Sequence, residues 1–244
     1  AAQGGRVLYC SLEMTRQQCL ARCSSAVAHA TPGLTDFYWS AWESMGRSAR
    51  RRVRDYRLDE RSDPLAVLDF LHDDPAVRAM GELARSCPGL TIADGAPVAS
   101  SDSLRVTCDE GRKAGMDLLV IDYLQRLRPP EGCEREDQYR QVTETSRALM
   151  DMARELSLPV LVLSSMNRDS MRSKKADLTG GRGSGDIEFD ATTVMQLMSD
   201  GEDAGGMRRL DLHVLKNRRG PLTGDEPLGL LFDTRHSTFS EVEE

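Results

Sequence analysis

Three polar groups stand where apolar runs stop, and their types suit phosphate chemistry. Glu13 follows RVLYC within Ser11–Met14 (SLEM), Asp122 closes LLVID, and Ser164–Ser165 follow PVLVL. In a parallel α/β sheet, ligands bind at the carboxyl ends of the strands, so three such ends can converge on one molecule. A carboxylate closing an apolar strand is how nucleotide hydrolases present an acid to Mg²⁺. A strand-end Asp equally serves as a helix N-cap, and Ser-Leu-Glu equally starts a helix. Two further stretches carry basic or glycine-rich chemistry: RGSGDIEFDA at Arg182–Ala191 and KNRRGP at Lys216–Pro221. Taken singly, the first reads as a surface loop and the second as a solvated hairpin turn.

These groups need a scaffold, and the chain supplies one. Arg6–Cys10 reads as a buried strand. Thr15 with Gln18 forms a capping box and predicts a helix running to about Ala30. Residues 31–88 hold Trp39, Trp42, an Arg-rich stretch and a helix predicted around Pro64–Leu71. With no strand pattern, they read as helices and loops beside a core. Strands are then expected at Leu90–Ala93, Asp117–Ile121, Pro159–Ser164 and Thr193–Met198. Helices are expected at Asp102–Ala114 and Glu136–Leu156. The second has Tyr139, Val142, Leu149, Ala153 and Leu156 at helical spacing. Asp177–Asp190 reads as a glycine-rich loop. Near-continuous apolar strands separated by helices argue for a mostly parallel sheet covered on both faces. Leu210–Lys216 and Leu228–Phe232, joined by turns, argue for antiparallel strands at the C-terminal end.

Composition narrows the class. The chain has 244 residues, a net charge of -7, and 28 Arg against 4 Lys. That length allows one large α/β domain. Seven Arg face three acids in Gly46–Arg61, while the whole chain is acidic. Any nucleic-acid binding must therefore be local. The longest apolar runs fall far short of the ~20 residues a membrane span needs. No basic-then-apolar leader opens the chain, which argues against export. Six cysteines without C-x-x-C spacing predict reduced thiols in a cytoplasmic protein rather than a disulfide or zinc framework.

Taken together, the motifs are far more specific than any one of them. SLEM, IDYLQ (Ile121–Gln125), MNR (Met166–Arg168), RGSGDIEFDA and KNRRGP occur in that order. This set resembles the C-terminal motor domain of the DnaB-type replicative helicases, which have a RecA-like fold. The resemblance covers about Arg6–Met14 and Leu90–Phe239 and leaves residues 31–88 unmatched. It implies ATP hydrolysis with Mg²⁺, coupled to movement on single-stranded DNA and unwinding of duplex by a hexameric ring. Primase or a loader would be further partners, and the location would be cytoplasmic, at the nucleoid. By the same resemblance, Glu13 polarises the attacking water and Asp122 holds Mg²⁺. Lys216 and Arg218 reach the neighbouring subunit's γ-phosphate. Arg182, Gly183 and Gly185 lie in the DNA-contacting loop. Ser165 takes the place of a γ-phosphate-sensing glutamine and is shorter. Gly183 stands where an acidic residue is common. A recombinase or circadian-type ATPase is disfavoured, because SLEM paired with the late KNRRGP is not a recombinase combination.

No G-x-x-x-x-G-K-[ST] phosphate loop occurs, and none of Lys113, Lys174, Lys175 and Lys216 lies in one. In the family that loop and its central strand come about one helix before SLEM. With Ala1 rather than Met in first place, the expectation is a partial motor domain over residues 1–244, cut or decayed just downstream of its phosphate loop. Such a chain alone is expected to bind ATP poorly. The alternative is a helicase-derived binding or assembly module without ATPase activity.

Overall fold

The computed structural model describes residues 1, 3–42, 45, 47, 73–165, 186–199, 205–224 and 226–242. Among these residues, eight strands form two four-stranded sheets. The first is wholly parallel, in the order β2-β1-β3-β4, with β1 Val7–Ser11, β2 Leu90–Asp94, β3 Leu118–Asp122 and β4 Val160–Val162. The second is an antiparallel meander of β5 Thr193–Ser199, β6 Met207–Asn217, β7 Leu228–Asp233 and β8 Thr238–Glu241. The α/β class, the parallel sheet and the antiparallel C-terminal strands all agree with the sequence reading.

Helix α1, Arg16–Ala30, starts where the sequence placed it. Thr15 accepts from the Gln18 backbone while the Gln18 side chain returns to Thr15, which completes the capping box. Helix α2, Pro75–Ser86, falls inside the span that showed no regular pattern. Its signal was nonetheless present: Asp74 accepts from the amides of Ala76 and Val77, and Pro75 opens the first turn. It packs on α1 through a face containing Ala79 and Leu83. Helix α3 is Ser101–Lys113, capped by Ser100, and α4 is Gln138–Glu155, capped by Asp137. The expected helix at Pro64–Leu71 lies outside the described residues. So does most of the expected loop at Asp177–Asp190, but its last five residues, Asp186–Asp190, form a short helix, α5.

The pleat divides β1 and β3 between two layers. Leu8, Cys10, Leu119 and Ile121 point one way, into a core with Leu104 and Cys108 of α3 and Val142, Leu149 and Met152 of α4. Tyr139, expected on that buried face, is 50% exposed, because it sits in the first turn of α4, ahead of the core-facing stretch. Close approach fixes the other end of the sheet. Gly89 accepts from Val7 N at 2.8 Å, and a Cβ there would run into the Gly5 carbonyl. β4 and β5 are edge strands, and Leu161, Leu163, Met195 and Leu197 are exposed on or beside them. No helix among the described residues is long and apolar enough to cross a membrane.

Candidate functional site

Register brings the strand ends together. Ser11 is paired with Asp94 on one side and with Asp122 on the other, so three polar residues end three adjacent parallel strands in one row. Beyond Ser11 the chain turns through Leu12–Met14 into α1. Leu12 N donates to Asp122 O at 2.7 Å, and Met14 N to Ser11 Oγ at 3.1 Å. These bonds hold the turn, and Glu13 projects from it exposed to solvent. Asp94 accepts from Arg16 N at 2.8 Å, which serves the first turn of α1.

Asp122 is half-buried, and one of its oxygens, Oδ2, accepts a hydrogen bond from the Tyr9 phenol. Burial, and then this bond to a carboxylate, push the Tyr9 phenol far above the ordinary tyrosine range. The proton therefore stays on Tyr9, and the bond occupies Asp122 Oδ2 and not Oδ1. The end of β4 is tied in by Gln125. Its amide donates to Ser164 Oγ at 2.8 Å and accepts from Ser165 N at 3.1 Å. Ser165 is thereby joined to the turn that follows Asp122.

A shallow cleft of about 240 Å³ opens beside this row. Glu13, Asp94, Gly95 and Arg126 contribute to its walls. It lies toward β2, whereas Asp122 stands on the β3 side of β1. The strand-end row, with the carboxylates on it, is the better guide to chemistry than the cleft. Asp94, Tyr9, Gln125 and Arg126 were not singled out from sequence as site residues. Asp94 had the same signal as Asp122, an acid closing an apolar strand. The Tyr9 bond joins residues more than a hundred positions apart and left no local trace.

Lys216 and Arg218 are not at this row. Lys216 Nζ donates to the carbonyls of Glu188 and, at 3.2 Å, Phe189. The Arg218 guanidinium donates to the Phe189 carbonyl at 2.9 Å. Both cations thus sit at the carboxyl end of α5, where exposed carbonyls favour positive charge. Ser146 of α4 bonds Asp190 at 3.0 Å and seats that helix. Arg182, Gly183 and Gly185 lie outside the described residues.

Residues 72–241 match the family model described as the DnaB-like helicase C-terminal domain. The replicative DNA helicase DnaB of Geobacillus stearothermophilus is 33% identical over 150 residues, covering 59% of this chain and 32% of that protein. The replicative DNA helicase DnaC of Bacillus subtilis is 30% identical over 171 residues, covering 68% and 36%. The chain thus spans about a third of the length of the curated relatives it matches. Among solved structures, a DnaB-like replicative helicase described with its interactions with primase aligns at TM-score 0.69 and 23% identity. That alignment covers 99% of this chain and 53% of the other. A solved ATPase domain aligns at TM-score 0.68 and 23% identity, covering 99% and 76%. These structural likenesses concern the fold, which is RecA-like.

Proposed function

This chain belongs to the DnaB-like helicase C-terminal domain family, and on that premise we propose that it forms part of an ATP-driven motor moving along single-stranded DNA. The observation that carries the reading is the row of Ser11, Asp94 and Asp122 at the ends of three parallel strands, with Glu13 two residues beyond. Hard oxygen donors of this kind are what Mg²⁺ takes, and Asp122 keeps one oxygen outside its bond with Tyr9. When bound, ATP with its magnesium supplies the phosphoanhydride and neutralises charge on the transferred phosphoryl group.

The residues then divide the work. Asp122 holds the ion directly or through water, and Tyr9 keeps that carboxylate oriented. Glu13 polarises the attacking water. Ser165 stands at the family's γ-phosphate-sensing glutamine position and is too short to contact the phosphate in the same way. Lys216 and Arg218, which bond the carbonyls of α5, serve the nucleotide of a neighbouring subunit in a hexameric ring. Their positive charge stabilises a transition state that spreads negative charge over oxygens, a contribution on the order of 10³–10⁵ in rate for an arginine finger. Arg182, Gly183 and Gly185 take the DNA backbone through charge and close main-chain approach. Duplex unwinding, a cytoplasmic site of action and contacts with primase or a loader complete the reading.

The phosphate-loop motif is not among these 244 residues, so the test uses this chain with a family phosphate-loop segment supplied ahead of it. There Glu13→Gln abolishes ATP turnover and spares nucleotide binding. Unchanged turnover removes Glu13 from the mechanism. The 244-residue chain alone binds a labelled ATP analogue weakly, and micromolar affinity overturns that expectation. Ser165 and the absent phosphate-loop motif favour a second reading, a binding or assembly module without ATPase activity. DNA binding without turnover once a phosphate loop is supplied selects it.

A further inference from the structure

The end of α1, the segment after it and the turn between β7 and β8 meet around four side chains that the strand-end chemistry leaves unused. They are His29, Asp36, Asp233 and His236. His236 is 4% exposed and Asp233 5%. His236 Nδ1 lies 2.7 Å from Asp233 Oδ2. An ionised carboxylate only accepts, so Nδ1 is the donor, and a neutral imidazole then has its lone pair on Nε2. Among the described residues, the buried Nε2 has no aligned hydrogen bond, although Asp36 Oδ1 stands 3.1 Å away. The other Asp36 oxygen faces His29 Nδ1 at 3.2 Å. One carboxylate therefore spans two imidazole nitrogens.

A buried lone pair beside a carboxylate oxygen needs positive charge between them. A proton meets that need best along the ring nitrogen's own axis, and the Asp36 oxygen is off it. Two ligands each ~2.1 Å from one zinc-like ion stand ~3.0–3.4 Å apart, and neither points at the other. The His236–Asp36 separation falls in that interval, whereas His29 meets Asp36 in an ordinary hydrogen bond that the ion would replace. Behind His236, Asp233 occupies the place of the carboxylate that metal-binding histidines commonly hold through their second nitrogen.

We propose that His29, Asp36 and His236 form a site for a divalent transition-metal ion of the zinc class, with Asp233 orienting His236. Imidazole with carboxylate suits zinc, cobalt or nickel, whereas magnesium and calcium favour oxygen alone. The His29 and His236 rings are stacked, with centroids 4.0 Å apart and planes 12° from parallel. Stacked rings cannot aim at one point, so binding turns His29 out of the stack. His29 is exposed, in the last turn of α1, and is the ring that moves. The ion pins α1 and the segment after it to the antiparallel sheet. Trp39 already bonds that sheet there, through Nε1 to the Thr234 carbonyl at 2.9 Å.

The experiment takes the untagged chain, strips it with chelator and titrates it with Co²⁺ and Zn²⁺. Expected are saturable visible d–d bands for Co²⁺ without thiolate charge transfer. At a hundredfold excess over Kd, Zn²⁺ raises the thermal midpoint by roughly 5–10 °C, and Mg²⁺ does not. His29→Ala and Asp36→Asn, both at exposed positions, each weaken binding at least ~tenfold and still unfold cooperatively. Absence of saturable binding overturns the proposal. So do thiolate charge-transfer bands that persist in His29→Ala, which place the ion on cysteines. A midpoint that responds to acidification and not to metal also overturns it, since a proton then fills the gap.

Discussion

Replacing Tyr9 by Phe removes one hydroxyl and tests whether the strand ends are organised as described. The phenol donates to Asp122 Oδ2 and links β1 to β3 across 113 positions of sequence. A hydrogen bond to a charged group contributes about 1.5–3 kcal/mol, and losing it leaves the acceptor needing a partner. Tyr9 is half-buried, so water can reach Asp122 in the variant, and the expected loss is about 1–2 kcal/mol. For a domain of this length that lowers the thermal midpoint by about 2–8 °C. The decisive assay is a urea-unfolding cycle of wild type, Tyr9→Phe, Asp122→Asn and the double variant. A bond between the two side chains gives a coupling of about 0.5 kcal/mol or more. Additivity within about 0.3 kcal/mol, or a Tyr9→Phe variant as stable as wild type, refutes the reasoning.

Other perturbations address the scaffold. Gly89→Ala drives a methyl group into the Gly5 backbone where β1 and β2 start, with no flexible side chain to yield. A loss of at least about 2 kcal/mol in urea unfolding is expected, and a loss under about 0.5 kcal/mol contradicts the close approach. Burial, with Cys108 beside it, pushes the Cys10 thiol up to about 12, and burial pushes Cys108 up to about 11. An unfolded thiol titrates near ~8.5, so above that pH the folded chain keeps protons that the unfolded chain loses. Stability is then full below about pH 8.5 and falls as pH rises toward the folded values, by up to about 1.4 kcal/mol per pH unit for each thiol. A urea midpoint that stays level from pH 8 to pH 10 counts against this. Native alkylation at pH 8 is likewise expected to spare Cys10 and Cys108, and peptide mapping reads the outcome.

The parts legible in the sequence are those with a local physical cause. VLYCS and LLVID read as strands because burial on both faces requires unbroken apolar runs. Thr15 and Gln18 announce α1 because both capping partners lie within one turn. Asp122 and Glu13 could be named because a strand end fixes where a carboxylate goes. Residues joined only by the fold stayed hidden. His29 and His236 come from opposite ends of the chain, and Tyr9 reaches Asp122 from another strand. The separation of the strands into two sheets is also set by pairing partners, which no single strand encodes. Asp74–Pro75 is the opposite case. Its helix-start signal was in plain view, masked by the irregular stretch before it.

The pairing of Ser11 with Asp94 and Asp122 has a consequence for how this sequence tolerates change. Position along a parallel strand is counted in whole residues, and facing alternates with each count. One residue added inside β3 does not slide Asp122 a few ångströms along the site; it turns the carboxylate to the opposite side of the sheet, away from Tyr9. The same residue added to the turn that precedes β3, around Ala114–Asp117, leaves the count within the strand intact. Length changes are therefore tolerated best in the connections, because a single residue added inside β3 needs a bulge, of the kind β5 has between Val194 and Met195, to restore the facing.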